Sequence, residues 1–97
     1  MHASIRRYRL TRGSSPVFNK LIAEGFVPLL KKSPGFVDYY AVDAGNGQWA
    51  SVSVFTTKEA AEDSNRMAAD FVKKNLVGMT AGAPDITSGN VVANGKA

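Results

Sequence analysis

The sequence contains no cysteine, and this absence excludes several kinds of chemistry. Without thiolates the chain cannot form a disulfide, a cysteine-ligated zinc site, an iron–sulfur cluster or a thiol nucleophile. Histidine occurs once, at His2, where we expect a frayed chain end. No clustered spacing of histidines and carboxylates predicts a metal site. We therefore expect neither a metal nor another bound cofactor.

Long hydrophobic runs are also absent. No apolar stretch approaches the roughly 18 residues that a membrane-spanning helix needs, and no signal-like apolar segment follows the arginines near the N-terminus. These features favour a cytoplasmic protein without a membrane partner. The length of 97 residues suits a single domain, residues 1–97, with a modest core. We expect that core over about residues 4–93 and a frayed tail at 94–97.

Positive charge exceeds negative charge, giving a formal net charge of +4. Several arginines lie between residues 6 and 12, but aromatic residues do not interleave with them in a nucleic-acid-binding signature. We therefore expect no nucleic-acid partner. A small anionic or aromatic ligand is the favoured partner. The default expectation for the strand arginines is pairing with Asp38 and Asp43 across neighbouring strands.

The first half of the chain predicts a strand and then a helix. Residues 4–11 are predicted to form a strand, with Tyr8 and Leu10 on the same face as Arg6 and with Arg7 and Arg9 on the other, so both faces carry arginine. Ser15 is a natural N-cap, and Pro16 suits the first helical position, where its missing N–H costs nothing. Pro28 lies inside the helical pattern that follows, so we expect a kink or a break near residues 25–27.

The second half predicts a hairpin, a helix and a last strand. Two strands within residues 36–55 meet at Gly45-Asn46-Gly47, whose residues tolerate the positive φ of a tight turn. Thr56 and Glu59 have capping-box spacing, and the helix they begin should run to about residue 75. The last strand is predicted over residues 85–93, with a bulge at Gly89.

The order of these elements, βαββαβ, predicts an α+β fold of the ferredoxin-like type. Two right-handed crossovers place both helices on one face of a four-stranded antiparallel sheet. No further element remains to cover the opposite face. A second copy of the chain could cover it by twofold pairing, so we expect a homodimer through this face.

Several segments resemble the antibiotic biosynthesis monooxygenase superfamily. They are Ser33-Pro34-Gly35-Phe36, the Gly-x-Gly hairpin, the strand 51–55 and the capped helix start 57–66. The resemblance covers about residues 4–93 and implies a dimeric α/β-barrel. That family includes quinol and polyketide monooxygenases without bound metal or flavin, as well as haem-degrading enzymes. Its haem-degrading branch ligates iron through a helix histidine; the second helix has none, so we do not expect haem ligation of that kind.

Asn65 is the candidate catalytic residue, because an amide at the inner edge of an apolar helix stripe can orient a carbonyl or hydroxyl group. The alternative is that it merely hydrogen-bonds water or a neighbouring turn. Five further side chains are candidates for substrate binding, and core or interface packing is the alternative role for each. They are Trp49, Tyr8, Tyr39, Met67 and Phe71.

These features lead to two main hypotheses. The first is a cofactor-independent monooxygenase that acts on an aromatic, quinol-like small molecule. The alternative is a non-catalytic ligand-binding or stress-associated dimer of the same fold. A third reading is a subunit of a larger assembly built on the uncovered sheet face. The absence of an evident catalytic base keeps the second hypothesis close to the first.

Overall fold

The computed structural model describes residues 1–97, which form a four-stranded antiparallel sheet with two helical segments on one of its faces. These segments are called the first and the second helical layer in chain order. The strands are β1 (His2–Arg9), β2 (Phe36–Gly45), β3 (Gln48–Phe55) and β4 (Asp85–Asn90). Their spatial order is β2-β3-β1-β4. This order places β1 and β3 at the centre and confirms the predicted ferredoxin-like α+β fold.

The first helical layer is interrupted where the sequence predicts an interruption. It consists of α1 (Ser15–Leu21), a π-helical segment (Ile22–Phe26) and α2 (Val27–Lys31). Pro28 has no N–H to donate to the carbonyl four residues earlier, and in a regular α-helix its ring would clash with that carbonyl. The wider π-helical turn lies immediately upstream of α2, where it accommodates the proline. The residue that precedes α1 is Ser14, one position before the predicted cap.

The second helical layer is α3 (Lys58–Asn75), which ends where the sequence predicts. The predicted cap is wrong by one residue, because the hydroxyl of Thr57, not that of Thr56, accepts a hydrogen bond from the Ala60 backbone N–H at 3.1 Å. Thr57 has the extended backbone of an N-cap. Glu59 is therefore not at the capping-box position.

The hairpin turn between β2 and β3 packs against the end of β1. Gly45, Asn46 and Gly47 all have positive φ, as predicted. The Leu10 N–H donates to the Gly47 carbonyl at 2.7 Å, and a Cβ at position 47 would lie 2.9 Å from the Leu10 carbonyl oxygen. Glycine is required here by backbone conformation and by space.

Two predictions about the chain ends are corrected. His2 is not frayed: it is buried and opposes Phe55 on one side and Asn90 on the other, because a central strand is held by both neighbours. β4 ends at Asn90, and Gly89 opposes Ala3 in regular register without a bulge. Residues 91–97 form no helix or strand.

The two sheet faces differ in burial. Alternate side chains of β1, at positions 2, 4, 6 and 8, are buried under the helices, as is Leu10 just beyond the strand. On the opposite face Tyr40 and Val42 are 62% and 52% exposed, and no helix of the chain covers them. None of the helices is long and apolar enough to cross a membrane. The core is a cluster of aromatic and aliphatic residues: Tyr8, Leu10, Phe18, Ile22, Phe26, Leu30, Trp49, Phe55, Ala61, Ala68 and Leu76.

Candidate functional site

A narrow cavity lies between the sheet and the two helical layers. It has room for about 10 Å³, which is at the lower limit for one water molecule. Its walls are mostly aromatic and aliphatic, but one wall residue is an arginine. The lining consists of Arg6, Tyr8, Ile22, Phe26, Tyr39, Trp49, Ser51, Ala68, Phe71 and Val72.

The arginine in the wall, Arg6, is almost fully buried at 5% exposure. It belongs to the helix-facing row of the central strand β1, between Ser4 and Tyr8. A strand side chain on this row points into the molecule because successive side chains alternate between the faces. The neighbouring Arg7 and Arg9 point to the other face and are exposed.

Neutral oxygen atoms satisfy the Arg6 guanidinium. Its Nε and Nη2 atoms donate to the Tyr8 hydroxyl at 3.0 and 2.6 Å. Its Nη1 atom donates to the backbone carbonyl and to the side-chain Oδ1 of Asn65 at 3.3 and 3.4 Å. The guanidinium carbon lies 5.4 Å from the centre of the Tyr8 ring. These contacts hold the guanidinium against the cavity wall.

No carboxylate neutralises Arg6. The three ion pairs of the structure all lie within α3, on its exposed surface. The expected cross-strand pairing of the strand arginines with Asp38 and Asp43 is wrong, because β3 lies between β1 and β2. A guanidinium stays charged at neutral pH, and a buried charge without a counter-charge is costly. The cavity therefore has a positively charged wall that suits an anionic group.

Asn65 links α3 to the polar part of the sheet. Its Oδ1 atom accepts a hydrogen bond from the Ser4 hydroxyl at 2.8 Å, in addition to the contact with Arg6. The Ser88 hydroxyl donates in turn to Ser4 at 3.1 Å. Because Asn65 receives hydrogen bonds from both Ser4 and Arg6, it fixes the position of Arg6 beneath α3.

The other walls of the cavity are aromatic rings in mutual contact. Phe26 packs against Tyr39 and Phe71 with ring centres 5.9 and 5.4 Å apart. Tyr8 and Trp49 meet edge to face at 5.7 Å. Such rings present flat apolar surfaces, which suit an aromatic ligand.

Burial also affects the Tyr39 hydroxyl in this wall. Loss of hydration raises the pKa of Tyr39 to about 12, while the nearby Ser51 hydroxyl acts in the opposite direction. The phenol is therefore neutral at physiological pH and remains able to donate a hydrogen bond. It is not suited to act as a base near neutral pH.

An open groove of about 360 Å³ adjoins the cavity along the edge strand β2. The cavity and the groove share three wall residues, Ile22, Tyr39 and Trp49. The volume of the groove falls in the range of small-molecule sites. The groove is therefore the natural approach from solvent to the cavity.

The structure brings together four of the six predicted site residues. Tyr8, Tyr39, Trp49 and Phe71 line the cavity. Asn65 lies behind the lining and touches it through Arg6. Met67 lies away from the cavity, at a surface depression near the end of α2.

Sequence reasoning missed Arg6 and Asn19. The sequence does carry a signal for Arg6, because Arg6 lies on the same strand face as Tyr8 and Leu10, which are apolar and buried. Asn19 accepts a hydrogen bond from the Trp49 indole, and no local motif marks this contact because the partners are 30 residues apart.

The residues of this site do not fit a haem group. The cavity lining contains no histidine that could ligate haem iron, and α3 contains none either. The single histidine, His2, interacts with Asn90 at the far end of β1 and does not line the cavity. No group of three or more histidines and carboxylates is placed to hold a metal ion.

Comparison with known proteins establishes the fold. No protein-family model matches the sequence, and no curated protein sequence matches it. A protein of unknown function from Nitrosomonas europaea has a similar structure, with a TM-score of 0.83 at 16% identity over 99% of this chain and 93% of that one.

Two functionally described structures are also similar. The haem-degrader MhuD from Mycobacterium tuberculosis has a TM-score of 0.75 at 17% identity over 99% of this chain and 100% of that one. SnoaB, a cofactor-independent oxygenase from Streptomyces nogalater, has a TM-score of 0.72 at 12% identity over 96% of this chain and 94% of that one. The chain therefore has the fold of the antibiotic biosynthesis monooxygenases.

Proposed function

We propose that the protein is a cofactor-independent monooxygenase that acts on an aromatic, quinol-like small molecule with an acidic oxygen. The observation that carries this proposal is the buried Arg6 guanidinium, which lacks a carboxylate partner and lies among aromatic walls. An anionic ring oxygen would supply the missing counter-charge. The described neighbour SnoaB, a cofactor-independent oxygenase of the same fold, supports the proposal.

In this mechanism the substrate itself reduces oxygen. Arg6 favours the enolate form of the bound ring, since a fixed positive charge stabilises a nearby anion in a water-poor site. The enolate transfers one electron to dioxygen, and the resulting ring radical and superoxide combine into a carbon-bound hydroperoxide. The aromatic walls exclude water and hold the ring in place.

The atoms balance for an anthrone substrate without a further reductant. One oxygen atom of dioxygen becomes the new ring carbonyl. The second oxygen atom leaves as water with the two hydrogens that the oxidised carbon loses. The product is the corresponding anthraquinone. The proton lost when the enolate forms passes to water in the open groove, and the peroxide anion takes one up before water is eliminated, so the protein needs no strong base of its own.

Binding requires the cavity to widen. A space of about 10 Å³ cannot hold an aromatic ring, whereas the adjoining groove holds about 360 Å³. We propose that the ring enters from the groove and displaces the shared side chains Ile22 and Tyr39. The acidic oxygen then reaches Arg6 while the rest of the ligand stays in the groove.

Oxygen uptake with anthrone tests this proposal. The native protein should consume dioxygen and release anthraquinone above the uncatalysed rate. Asn65→Ala should lower turnover by about tenfold or more, because it removes the side-chain oxygen that accepts from both Arg6 and Ser4, and one such hydrogen bond contributes about 1–2 kcal/mol. Asn75→Ala, on the exposed side of α3, is the matched control and should keep the native rate.

The second candidate is a non-catalytic ligand-binding dimer, and the absence of an evident base in the cavity favours it. If no anthrone or naphthoquinol supports oxygen uptake while acidic aromatics still bind, the second candidate replaces the first. If neither uptake nor binding occurs, both proposals for the cavity are wrong.

A further inference from the structure

The side chain of Trp49 forms a wall that the cavity and the groove share. The indole is 3% exposed and meets the Phe18 ring edge to face, with ring centres 4.9 Å apart. A rotation of this ring would change the shape of both spaces. Whatever fixes the indole therefore also fixes the site.

Asn19 connects the indole to a carboxylate. The Trp49 Nε1 atom donates to Asn19 Oδ1 at 2.9 Å, and Asn19 Nδ2 donates to Asp43 Oδ2 at 2.9 Å. The indole can only donate and the carboxylate can only accept. The two partners therefore force one orientation of the Asn19 amide.

Asp43 is itself anchored. Its Oδ1 atom accepts from the Gly45 backbone N–H at 3.0 Å, at the hairpin turn. The Asn19 amide and then the Gly45 N–H hold the pKa of Asp43 below its usual value. The carboxylate is thus charged at neutral pH, and the chain Asp43–Asn19–Trp49 begins at a fixed point.

The chain joins three elements around the groove. Asn19 lies on α1 just before the π-helical segment, Trp49 lies on β3 and Asp43 lies on the edge strand β2. The side-chain hydrogen bonds between the first helical layer and the sheet both involve Asn19. Asn19 alone would satisfy the indole N–H. The bond from Asn19 to Asp43 additionally fixes the position of the Asn19 amide.

We propose that Asn19 is a positioning residue that holds the Trp49 indole in the wall between groove and cavity. The consequence for ligand affinity rests on the proposed function, whereas the consequence for the indole does not. Asn19 does not line the cavity, but it lines the groove, so the state of the indole without ligand, and not ligand affinity, isolates its effect on Trp49.

Fluorescence tests the proposal directly, because Trp49 is the only tryptophan. In Asn19→Ala without ligand, the emission should shift to longer wavelength and acrylamide quenching should increase. The affinity for hydroxynaphthoquinone, an acidic aromatic probe, should fall about tenfold, as expected for the loss of one positioning hydrogen bond. Asn75→Ala also removes an asparagine that makes one hydrogen bond, and it should change none of these quantities.

Substitutions at Asp43 separate positioning from general stability. Asp43→Ala removes the anchor and should increase quenching in the same direction as Asn19→Ala. Asp43→Asn retains only one of the two accepting oxygens, which bond Asn19 and the Gly45 N–H, so its quenching should lie between those of the native protein and Asp43→Ala. Asp43 is exposed, so we expect its variants to fold. Their fluorescence therefore tests the positioning of Trp49 even if Asn19→Ala does not fold.

Native emission and quenching in Asn19→Ala, or in Asp43→Ala where the first variant does not fold, would overturn the proposal whatever the ligand data show. If the native protein binds no acidic aromatic, the proposed function fails, and the quenching comparison still decides the role of Asn19. A loss of stability with native quenching in the folded protein would mark Asn19 as structural only.

Discussion

At the scale of single residues, the buried guanidinium of Arg6 lowers the stability of the folded protein, and the proposed ligand chemistry explains why it is there. A guanidinium buried without a carboxylate contributes little to stability, because it loses hydration and gains no opposite charge. Residues that weaken the folded state in this way are typical of functional sites. If Arg6 binds an anionic ligand as proposed, it makes opposite contributions to stability and to ligand binding.

The stability of Arg6→Gln tests whether the buried charge destabilises the folded protein. We expect the urea midpoint to stay equal or to rise, because the variant removes a buried charge and keeps an amide that can bond Tyr8 or Asn65. Equilibrium unfolding followed by Trp49 fluorescence measures the effect. Arg9→Gln, on the exposed face, is the control, and a clear loss of stability in Arg6→Gln alone would make Arg6 a structural residue.

Tyr39 should make stability depend on pH in the alkaline range. Its pKa is raised from 10.0 to about 12 in the folded protein, so its contribution is complete below pH 10 and is lost between pH 10 and 12. The loss should amount to about 2–3 kcal/mol. Urea unfolding across this range should show a smaller decline for Tyr39→Phe than for the native protein, whereas Tyr40→Phe, an exposed tyrosine, should match the native protein.

The sequence predicted which residue types line the site better than it predicted their contacts. The alternation of β1 placed Arg6 on the same face as Tyr8, and the spacing of α3 placed Phe71 inward. What could not be predicted were contacts between distant segments, such as Asn19 with Trp49. These depend on the strand order and on side-chain rotamers, which no local pattern encodes.

At the scale of elements, the first helical layer is the least regular part of the fold. Gly25 lies in the π-helical segment, and a Cβ at this position would approach the Phe71 ring to 2.8 Å. Pro28 predicted an interruption here, but the form of the interruption depends on the packing of α3. The absence of a side chain at Gly25 lets that helix approach closely.

Gly25→Ala should destabilise the protein by about 1 kcal/mol or more. The new methyl group displaces the Phe71 ring from its contact with Phe26, and overpacking costs typically 1–3 kcal/mol. The gain in helix propensity, up to about 1 kcal/mol, offsets only part of this loss. Gly89→Ala, which meets open space, is the control in urea unfolding; a more stable Gly25→Ala would show that the ring moves at no cost.

The start of α3 gives a matched pair of substitutions. Thr57→Ala should cost about 1 kcal/mol, because the Thr57 hydroxyl caps the helix through the Ala60 N–H. Thr56→Ala should cost less, since the Thr56 hydroxyl makes no such bond. Thermal or urea unfolding of both variants distinguishes them, and a larger effect at Thr56 would restore the cap that the sequence predicts.

At the scale of the whole molecule, the helix-free face of the sheet is the main unexplained surface. Tyr40 and Val42 are largely exposed on it, and Val52 and Val54 lie on the same face of β3 by strand alternation. We propose that a second copy of the chain covers this face in a twofold dimer. An obligate interface of this kind should bury roughly 2,000 Å² or more.

Light scattering should therefore give a mass near twice 10.3 kDa at micromolar concentration. Tyr40→Glu combined with Val42→Glu should give folded monomers, because two charges per copy would have to be buried at the interface. Val77→Glu is the control, since Val77 is 76% exposed in the loop that follows α3. A native protein that is monomeric under these conditions contradicts the proposed dimer.

We propose that the charge of Arg6 makes the cavity select acidic aromatic ligands. Titration of Trp49 fluorescence with hydroxynaphthoquinone and with its neutral methyl ether tests the role of this charge, because the two ligands share their rings and differ in charge. We predict that the native protein binds the acid at least about tenfold more tightly than the ether, as expected for a charge-assisted hydrogen bond. Arg6→Gln should lose this preference while Arg9→Gln keeps it. Equal affinity of the native protein for both ligands, or an unchanged preference in Arg6→Gln, would show that the charge of Arg6 does not select the ligand.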